Sequence, residues 1–360
     1  MSKSAFPFDY EVPRRLVAQE PLRNRADARL MVVDRGRQSI EHHHVRDLPH
    51  LLVGGDRLVL NDTKVIPAQL AGVRSKTGGR WQGLFTETTP DGNWKILCKT
   101  RGRLEPGETV VLRDREGRPA AKLWLLERLE EGQWLVHAET EEATFELLDR
   151  LGRVPLPPYI RGGNMVDDDV ARYQTVFARQ PGAIAAPTAG LHFTRELLKT
   201  LEAREVGLSR ITLHVGLGTF RPIESESWDE HRMHGEHGEL TAGTAAELNR
   251  TRAAGGRVIA VGTTVVRTLE TAVRSSPAAD APPRGPRELA AWRGETDLFI
   301  RPPFEFRAID ALLTNFHFPR TTLLILVQTF GGWELIAEAY RQAIEEEYRF
   351  YSYGDAMLIV

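Results

Sequence analysis

The sequence predicts an α/β protein with a strand-end active site in its larger domain, plus an inserted small all-β barrel domain. Two short apolar runs, Ala183–Ala186 and Ile211–Val215, each end in a loop of Gly, Thr, His and Pro, with a helical pattern between them. This arrangement predicts a strand–helix–strand unit, and α/β folds bind their ligands where such strands end. From about residue 67 to 153 the chain instead carries short strands and closely spaced turn signals, typical of a small antiparallel sandwich or barrel.

The N-terminal part supplies the first strands, which are predicted at Leu30–Asp34 and Arg57–Leu60. The second strand runs into the polar cluster Asn61-Asp62-Thr63. Turns such as Glu105-Pro106-Gly107 separate the strands expected in the inserted segment, namely Trp94–Cys98, Thr109–Leu112, Ala121–Leu126 and Gln133–Ala138.

The chain leaves the inserted segment through Val154–Tyr159, whose prolines favour a stiff, extended linker. We therefore expect a discontinuous α/β catalytic domain formed by residues 1–66 and 154–360, with a small β-barrel domain inserted at 67–153. A sequential two-domain layout is the alternative, and it would leave residues 1–65 as an unusually small domain.

Strands and helices alternate after the linker. Thr194 is a predicted N-cap for a helix with Leu197, Leu198 and Leu201 on one face. A second helix is expected over Thr241–Ala254, ending at two glycines. Further strands are predicted at Arg257–Val261 and Asp310–Asn315, and further helices over Thr264–Arg274, from about Arg320, and around Trp333, Ile336, Tyr340 and Ile344.

Composition narrows the class of protein. The 360 residues are 41% hydrophobic and 27% charged, and the net charge is -2, so a nucleic-acid contact requires a local basic patch. The single cysteine, Cys98, excludes an intramolecular disulfide and favours a reducing compartment. The N-terminus has no signal-peptide pattern, and the longest aliphatic run near the C-terminus is too short to span a bilayer, so we expect a cytoplasmic protein without membrane contact.

The basic residues cluster in two groups, Arg14, Arg15, Arg23, Arg25 and Arg29, and Lys99, Arg101, Arg103, Arg113, Arg115 and Arg118.

His214 follows a predicted strand and opens a loop that contains Gly216, Gly218, Thr219 and Arg221. The glycines permit close approach of the backbone to a ligand, and a histidine can transfer protons near neutral pH. Arg221 offers the forked donors that bind phosphate or carboxylate. A tight turn with a hydrogen-bonded histidine explains the same residues, and the sequence favours neither interpretation.

Two other loops have similar character. Thr188, Gly190 and His192 lie in the loop after the predicted strand at Ala183–Ala186. Thr263 and Thr264 open a helix, where free backbone N–H groups favour an anion. Ordinary turn and capping chemistry is the alternative for both loops, and it is the favoured interpretation for the two threonines.

His231, His234 and His237 recur every three residues among glutamates. This spacing matches none of the common zinc motifs, so a solvated loop is favoured over a metal site.

Long segments, taken in order, identify the chain as similar to the S-adenosylmethionine:tRNA ribosyltransferase-isomerases of queuosine biosynthesis. The resemblance runs nearly end to end and is weakest in the inserted β segment. The segments that carry it are FDYEVPRRLVAQEPLRNRADARLMVVDR (8–35), LVLNDTKVIPAQL (58–70), VPLPPYI (154–160), YQTVFA (173–178), GAIAAPTAGLHFT (182–194), ITLHVGLGTFRPI (211–223), HRMHGE (231–236), RVIAVGTTVVRTLE (257–270), TDLFI (296–300), LLTNFHFPRTTLLILV (312–327) and YRFYSYGDAMLIV (348–360).

The resemblance implies a reaction in which the ribosyl part of S-adenosylmethionine moves onto 7-aminomethyl-7-deazaguanine at the tRNA wobble position. The ribose rearranges to an epoxycyclopentanediol, adenine and methionine leave, and epoxyqueuosine-tRNA forms. S-adenosylmethionine is then a consumed substrate, no cofactor or metal is implied, and the partner is the tRNA anticodon stem-loop. We expect the protein to be a monomer.

Several residues in the matching segments suit the demands of this reaction. The proton-transfer candidates are His214, His192, Asp62 and Asp355, with acid and base left open. The candidates for lining the substrate pocket are Asn61, Thr63, Thr188, Gly190, Gly216, Gly218, Thr219, Thr263, Thr264, Asn315 and His317, with Arg221 and Arg320 as anion partners.

Two other classes of protein compete with this interpretation. A metal-dependent hydrolase would use the three histidines from His231 to His237. A non-catalytic RNA-binding module would use the basic clusters, but few aromatic residues lie among them.

Overall fold

The computed structural model describes residues 10–216, 223, 228–275 and 288–360. Its contacts divide the chain into two compact units. The first comprises the chain up to Thr63, Thr175–Gln180 and Ala186–Val360, and the second comprises Lys64–Gln174 and Pro181–Ala185.

The described strands are β1 (Arg29–Asp34), β2 (Ser39–His44), β3 (Arg57–Asn61), β4 (Thr63–Val65), β5 (Gln69–Arg74), β6 (Arg80–Thr88), β7 (Trp94–Thr100), β8 (Thr109–Arg113), β9 (Pro119–Arg128), β10 (Gln133–Glu139), β11 (Gln180–Ala183), β12 (Gly207–Leu213), β13 (Glu236–Leu240), β14 (Val258–Val261), β15 (Trp292–Thr296), β16 (Ala311–Asn315) and β17 (Ala356–Ile359). The described α-helices are α1 (Leu48–Leu51), α2 (Thr144–Leu151), α3 (Asp169–Arg172), α4 (Arg195–Ala203), α5 (Ala242–Ala253), α6 (Thr263–Arg274), α7 (Thr322–Gly331) and α8 (Trp333–Glu345).

The first unit is built on a nine-stranded sheet with the order β15-β13-β12-β3-β14-β16-β17-β1-β2. Its centre is parallel, because β12, β14 and β3 run in one direction and β16 joins β14 in the same sense. Strands β14 and β16 are buried along their whole length, as expected for parallel strands covered on both faces. The carboxyl ends of β12, β3, β14 and β16 therefore lie at one edge of the sheet.

Local capping signals define the helices around this sheet. The Thr194 hydroxyl accepts a hydrogen bond from the backbone of Leu197, which starts α4 where the sequence predicts it. Thr241 and Thr321 cap α5 and α7 in the same way. The α4 leucines at positions 197, 198 and 201 are buried in the core against the sheet, so this predicted helical face is confirmed.

One expectation for the first unit needs correction, and one of its strands was not predicted. Ala183–Ala186 is not a strand of the large sheet: β11 ends at Ala183 and pairs only with β4 in a two-stranded sheet. The strand that directly precedes α4 is therefore not in the same sheet as β12, and the predicted strand–helix–strand unit does not form. In addition, the chain continues past α8 into β17, a strand that pairs with both β1 and β16.

The second unit contains a closed six-stranded barrel with the order β10-β7-β6-β5-β8-β9 and antiparallel pairing throughout. Trp81, Phe85 and Trp94 are buried in its core, and the latter two rings meet edge to face. The predicted fold class, α/β with a small all-β barrel, is thereby confirmed.

The second unit extends beyond the barrel strands. Helix α2 was not predicted, and its leucines at 147, 148 and 151 are buried in the barrel core. The indole of Trp94 donates to the Thr144 hydroxyl at 3.1 Å, which ties the start of α2 to the barrel. The proline segment after α2 is packed rather than a free linker, because Val154, Leu156 and Ile160 are buried.

Candidate active site

Asn61, the last residue of β3, links the end of β12 to the start of α6. Its amide oxygen accepts from the backbone N–H of Leu213 and its amide nitrogen donates to the Leu213 carbonyl, both at 3.0 Å. The same nitrogen donates to the Thr264 hydroxyl at 3.2 Å, at the start of α6. The Asn61 side chain thus acts as an extra backbone unit between β3 and β12, and it holds the loop that follows each of them.

Thr63 and His214 meet directly at this edge of the sheet. The Thr63 hydroxyl lies 2.8 Å from Nδ1 of His214, so it fixes the orientation of the imidazole. Burial lowers the pKa of His214, the neighbouring His237 lowers it further, and the charge of Asp62 opposes both effects. At neutral pH His214 is therefore an uncharged imidazole that can accept a proton.

Asp62 is buried beside this pair. Its carboxylate accepts a hydrogen bond from the Thr212 hydroxyl at 2.7 Å. Burial raises the pKa of Asp62, and the Thr212 hydrogen bond and the charges of Arg179 and Arg210 oppose that shift. The result is a carboxylate beside an imidazole, with their proton affinities brought closer together than in water.

Sequence reasoning missed a buried ion pair that supports the loop after His214. Glu236 accepts from the backbone N–H of Gly216 at 2.9 Å and pairs with the guanidinium of Arg267. Arg267 also donates to the carbonyl of Thr296 at 3.0 Å. A signal was present, since Arg267 sits among the buried apolar residues of α6, where a charge requires a partner.

A second group surrounds the end of β16. The amide nitrogen of Asn315 lies 3.2 Å from Nε2 of His192 and 3.1 Å from the carbonyl of Tyr351. The carbonyl identifies that amide atom as the donor, so Nε2 of His192 accepts and its proton is on Nδ1. Burial lowers the pKa of His192 to about 4, and the charges of Arg25 and Arg349 add to the shift. His192 lines a small surface pocket with Leu22, Arg25, Leu191, Ser352 and Tyr353.

Asp355 and His317 are tied into the fold. One carboxylate oxygen of Asp355 accepts from the backbone N–H of Arg29 at 2.9 Å and the other from that of Arg349 at 2.7 Å. His317 lies 2.7 Å from the Thr314 hydroxyl through Nε2, and burial lowers its pKa to about 3. These contacts favour a structural role for both residues over contact with substrate.

The other predicted residues have varied settings within the described part of the chain. Thr188 opens a short 3-10 helix that ends at His192, and Thr263 is the buried first residue of α6. At Gly190 a β-carbon would come within 2.8 Å of the Phe177 ring, so this glycine is needed for packing. Arg320 is exposed just before α7. Gly218, Thr219 and Arg221 lie outside the described residues.

The histidine cluster has a different setting. His234 and His237 are exposed, and His231 packs edge-on against Phe299. Within the described ranges, no three His, Cys, Asp or Glu side chains converge as metal ligands.

No helix of the described chain combines the length and apolar character that crossing a membrane requires.

A family model described as "Queuosine biosynthesis protein" matches residues 6–359 of the chain. The chain belongs to this queuosine biosynthesis family. It is 45% identical over 353 residues to an S-adenosylmethionine:tRNA ribosyltransferase-isomerase from Staphylococcus epidermidis, covering 98% of each protein. It is 46% identical to the protein of the same name from Symbiobacterium thermophilum, again over 98% of each.

The chain is also similar to a solved structure. The crystal structure of an S-adenosylmethionine tRNA ribosyltransferase from Thermotoga maritima is 36% identical and matches with a TM-score of 0.53. The match covers 98% of this chain and 99% of that one, so both units are present in both proteins.

Proposed function

We propose that this chain transfers and isomerises the ribosyl group of S-adenosylmethionine onto tRNA in queuosine biosynthesis. The observation that carries the proposal is the full-length similarity to enzymes named for this reaction, at 45% identity. The acceptor is the aminomethyl group of 7-aminomethyl-7-deazaguanine at the wobble position of the anticodon stem-loop, and the product is epoxyqueuosine.

The bond changes define what the site must do. A base removes a proton from the ribose C5′, which the adjacent sulfonium makes acidic. The bond from C1′ to adenine breaks, and a bond from C5′ to C1′ forms, which closes the cyclopentane ring. The neutral amine of the tRNA base takes the place of the ring oxygen on C4′. That oxygen then takes the place of sulfur on C5′, which closes the epoxide and lets methionine leave. One proton is released overall. The positive charge of the sulfonium is lost, while the charges of the amine, the RNA and the amino-acid group of methionine stay the same.

The strand-end residues suit these steps. We assign proton transfer to His214, because Thr63 orients its neutral imidazole and the charge of Asp62 raises its pKa against the effect of burial. Asn61 holds the backbone of Leu213, the residue before His214. His192 is the second proton-transfer candidate, whereas both carboxylate oxygens of Asp355 are already engaged by backbone N–H groups. The donor carboxylate is assigned to the start of α6 with Arg221 and Arg320.

We further propose that the enzyme is a cytoplasmic monomer that uses no metal or redox cofactor and consumes S-adenosylmethionine as a substrate. The bond changes need proton transfer but no electron transfer, which is why side chains and backbone dipoles suffice.

Adenine release tests the proposal. The chain is incubated with S-adenosylmethionine and three tRNAs: one with the modified wobble base, one unmodified, and one with the wobble base substituted. We expect stoichiometric adenine and methionine only with the modified tRNA. Tight RNA binding without turnover would instead support an RNA-binding module, and turnover that depends on a stoichiometric transition metal would support a metal-dependent enzyme.

A further inference from the structure

The barrel contains a buried ion pair that no step of the proposed reaction uses. Arg74, the last residue of β5, donates to both carboxylate oxygens of Glu108, at 2.6 and 2.8 Å. Both side chains are buried, at 7% and 3% exposed. Burying two charges is costly and is compensated only when their remaining hydrogen-bonding groups are satisfied.

Further N–H groups of the Arg74 guanidinium donate to the backbone of one loop. It donates to the carbonyl of Arg101 and to the carbonyl of Arg103, both at 2.9 Å. The residue between them, Gly102, has a φ of +79°, which favours glycine and allows the tight turn. The ion pair therefore holds the backbone of residues 101–103, while the side chains of Arg101 and Arg103 are exposed.

Two more cations share this part of the surface. The pairing of Trp81 with Thr100 places Arg80 beside Arg101, and Lys99 is exposed on the neighbouring outward position of β7. We call Arg80, Lys99, Arg101 and Arg103 the cationic end of the barrel. Within the described part of the chain, none of the four makes an ion pair.

Acidic residues nearby limit this surface on two sides. Glu105 follows the loop but pairs with Lys76 at 3.1 Å. The β9–β10 hairpin carries exposed Glu127 and Glu130. Positive charge is therefore concentrated along β6, β7 and the held loop, and is not spread over the whole barrel.

We infer that the cationic end of the barrel binds the phosphate backbone of the tRNA substrate; this rests on the proposed function for the identity of the RNA. Exposed guanidinium and ammonium groups match phosphates, which supply most of the sequence-independent affinity for nucleic acids. The four side chains include no aromatic ring for base stacking, so the contact positions the RNA without reading its sequence. Because Arg74 already orders the loop, less conformational entropy is lost on binding.

The test is the salt dependence of binding to an unmodified tRNA transcript. The triple variant R80A/R101A/R103A is compared with R195A/K199A/R204A, which removes three exposed cations from helix α4 and its end. We expect the slope of log affinity against log salt to fall by about 3 for the barrel variant, with weaker binding at every salt concentration. The α4 control should keep the wild-type slope, and both variants should bind S-adenosylmethionine as the wild type does.

An unchanged slope in the barrel variant, or an equal change in the α4 control, would overturn the inference. If the triple variant unfolds earlier than the wild type in a thermal scan, R101Q/R103Q tests the loop alone, with an expected slope change of about 2. Failure of the proposed function is distinguishable, because wild-type enzyme would then release no adenine with the modified tRNA whatever the slopes.

Discussion

The hydroxyl of Thr63 and Nδ1 of His214 are 2.8 Å apart, although 151 positions separate them in the chain. The contact exists because β3 and β12 are parallel neighbours that end at the same edge, with Ile211 opposite Asn61. It leaves Nε2 of the imidazole as the nitrogen available to a substrate. We propose that this oriented, uncharged histidine transfers a proton during ribosyl transfer.

Replacing Thr63 with valine keeps the shape of the side chain but removes the hydroxyl that orients His214. A neutral hydrogen bond contributes about 1 kcal/mol, so we expect T63V to lower single-turnover adenine release by roughly fivefold to tenfold. T63S is the matched control, because it retains the hydroxyl and should recover most of the rate. Equal rates for T63V and T63S would show that the contact does not position His214.

Replacing Asp62 with asparagine removes the charge that opposes the lowered pKa of His214. The pKa of His214 should then fall further, and a base with a lower pKa becomes protonated only at lower pH. The acidic limb of the pH–rate profile should therefore move to lower pH in D62N. A limb that stays in place, measured under single-turnover conditions, would separate Asp62 from the titration of His214.

Burial of His192 should make the stability of the fold depend on pH. Burial lowers its pKa to about 4 in the folded state, against about 6.5 in an unfolded chain. The stabilisation is thus fully present above pH 6.5 and is lost as the pH falls toward 4, by an amount on the order of 3 kcal/mol. H192Q should flatten this acidic decline in urea unfolding measurements between pH 7 and 4. If the wild type and H192Q decline in parallel, His192 does not titrate as the structure indicates.

The Glu236–Arg267 ion pair, which binds the loop after His214, should contribute to stability. Removing one partner of a buried ion pair leaves an uncompensated charge and costs roughly 3 to 5 kcal/mol. E236Q should lower the free energy of unfolding by about this amount, because Arg267 is 4% exposed. The matched control is E239Q on the same strand, where the half-buried Glu239 makes no ion pair in the described chain and little change is expected. Equal effects of the two substitutions would contradict the role of the pair.

The parts of the site that the sequence predicts are those fixed by short-range patterns. Asn61-Asp62-Thr63 and His214 each follow an apolar run, and parallel neighbours bring such ends to one edge. The cap predicted at Thr194 is equally local.

Longer-range relationships were not predictable in the same way. The apolar run Ala183–Ala186 could form a strand of the large sheet or pair with β4 in a small sheet. Which of the two forms depends on contacts with distant parts of the chain. The Glu236–Arg267 pair joins residues 31 positions apart. The carboxylate of Asp355 accepts from the backbone of Arg29, 326 positions away, a contact that no local pattern indicates.

Proton transfer by His214 is tested most directly by single-turnover adenine release with H214N, measured beside equilibrium binding of S-adenosylmethionine. Asparagine keeps a similar size and a hydrogen-bonding end but cannot titrate. If His214 transfers a proton, adenine release should fall by about two to four orders of magnitude, while donor binding changes much less. Near-normal release, or a loss explained entirely by weaker donor binding, would contradict this assignment.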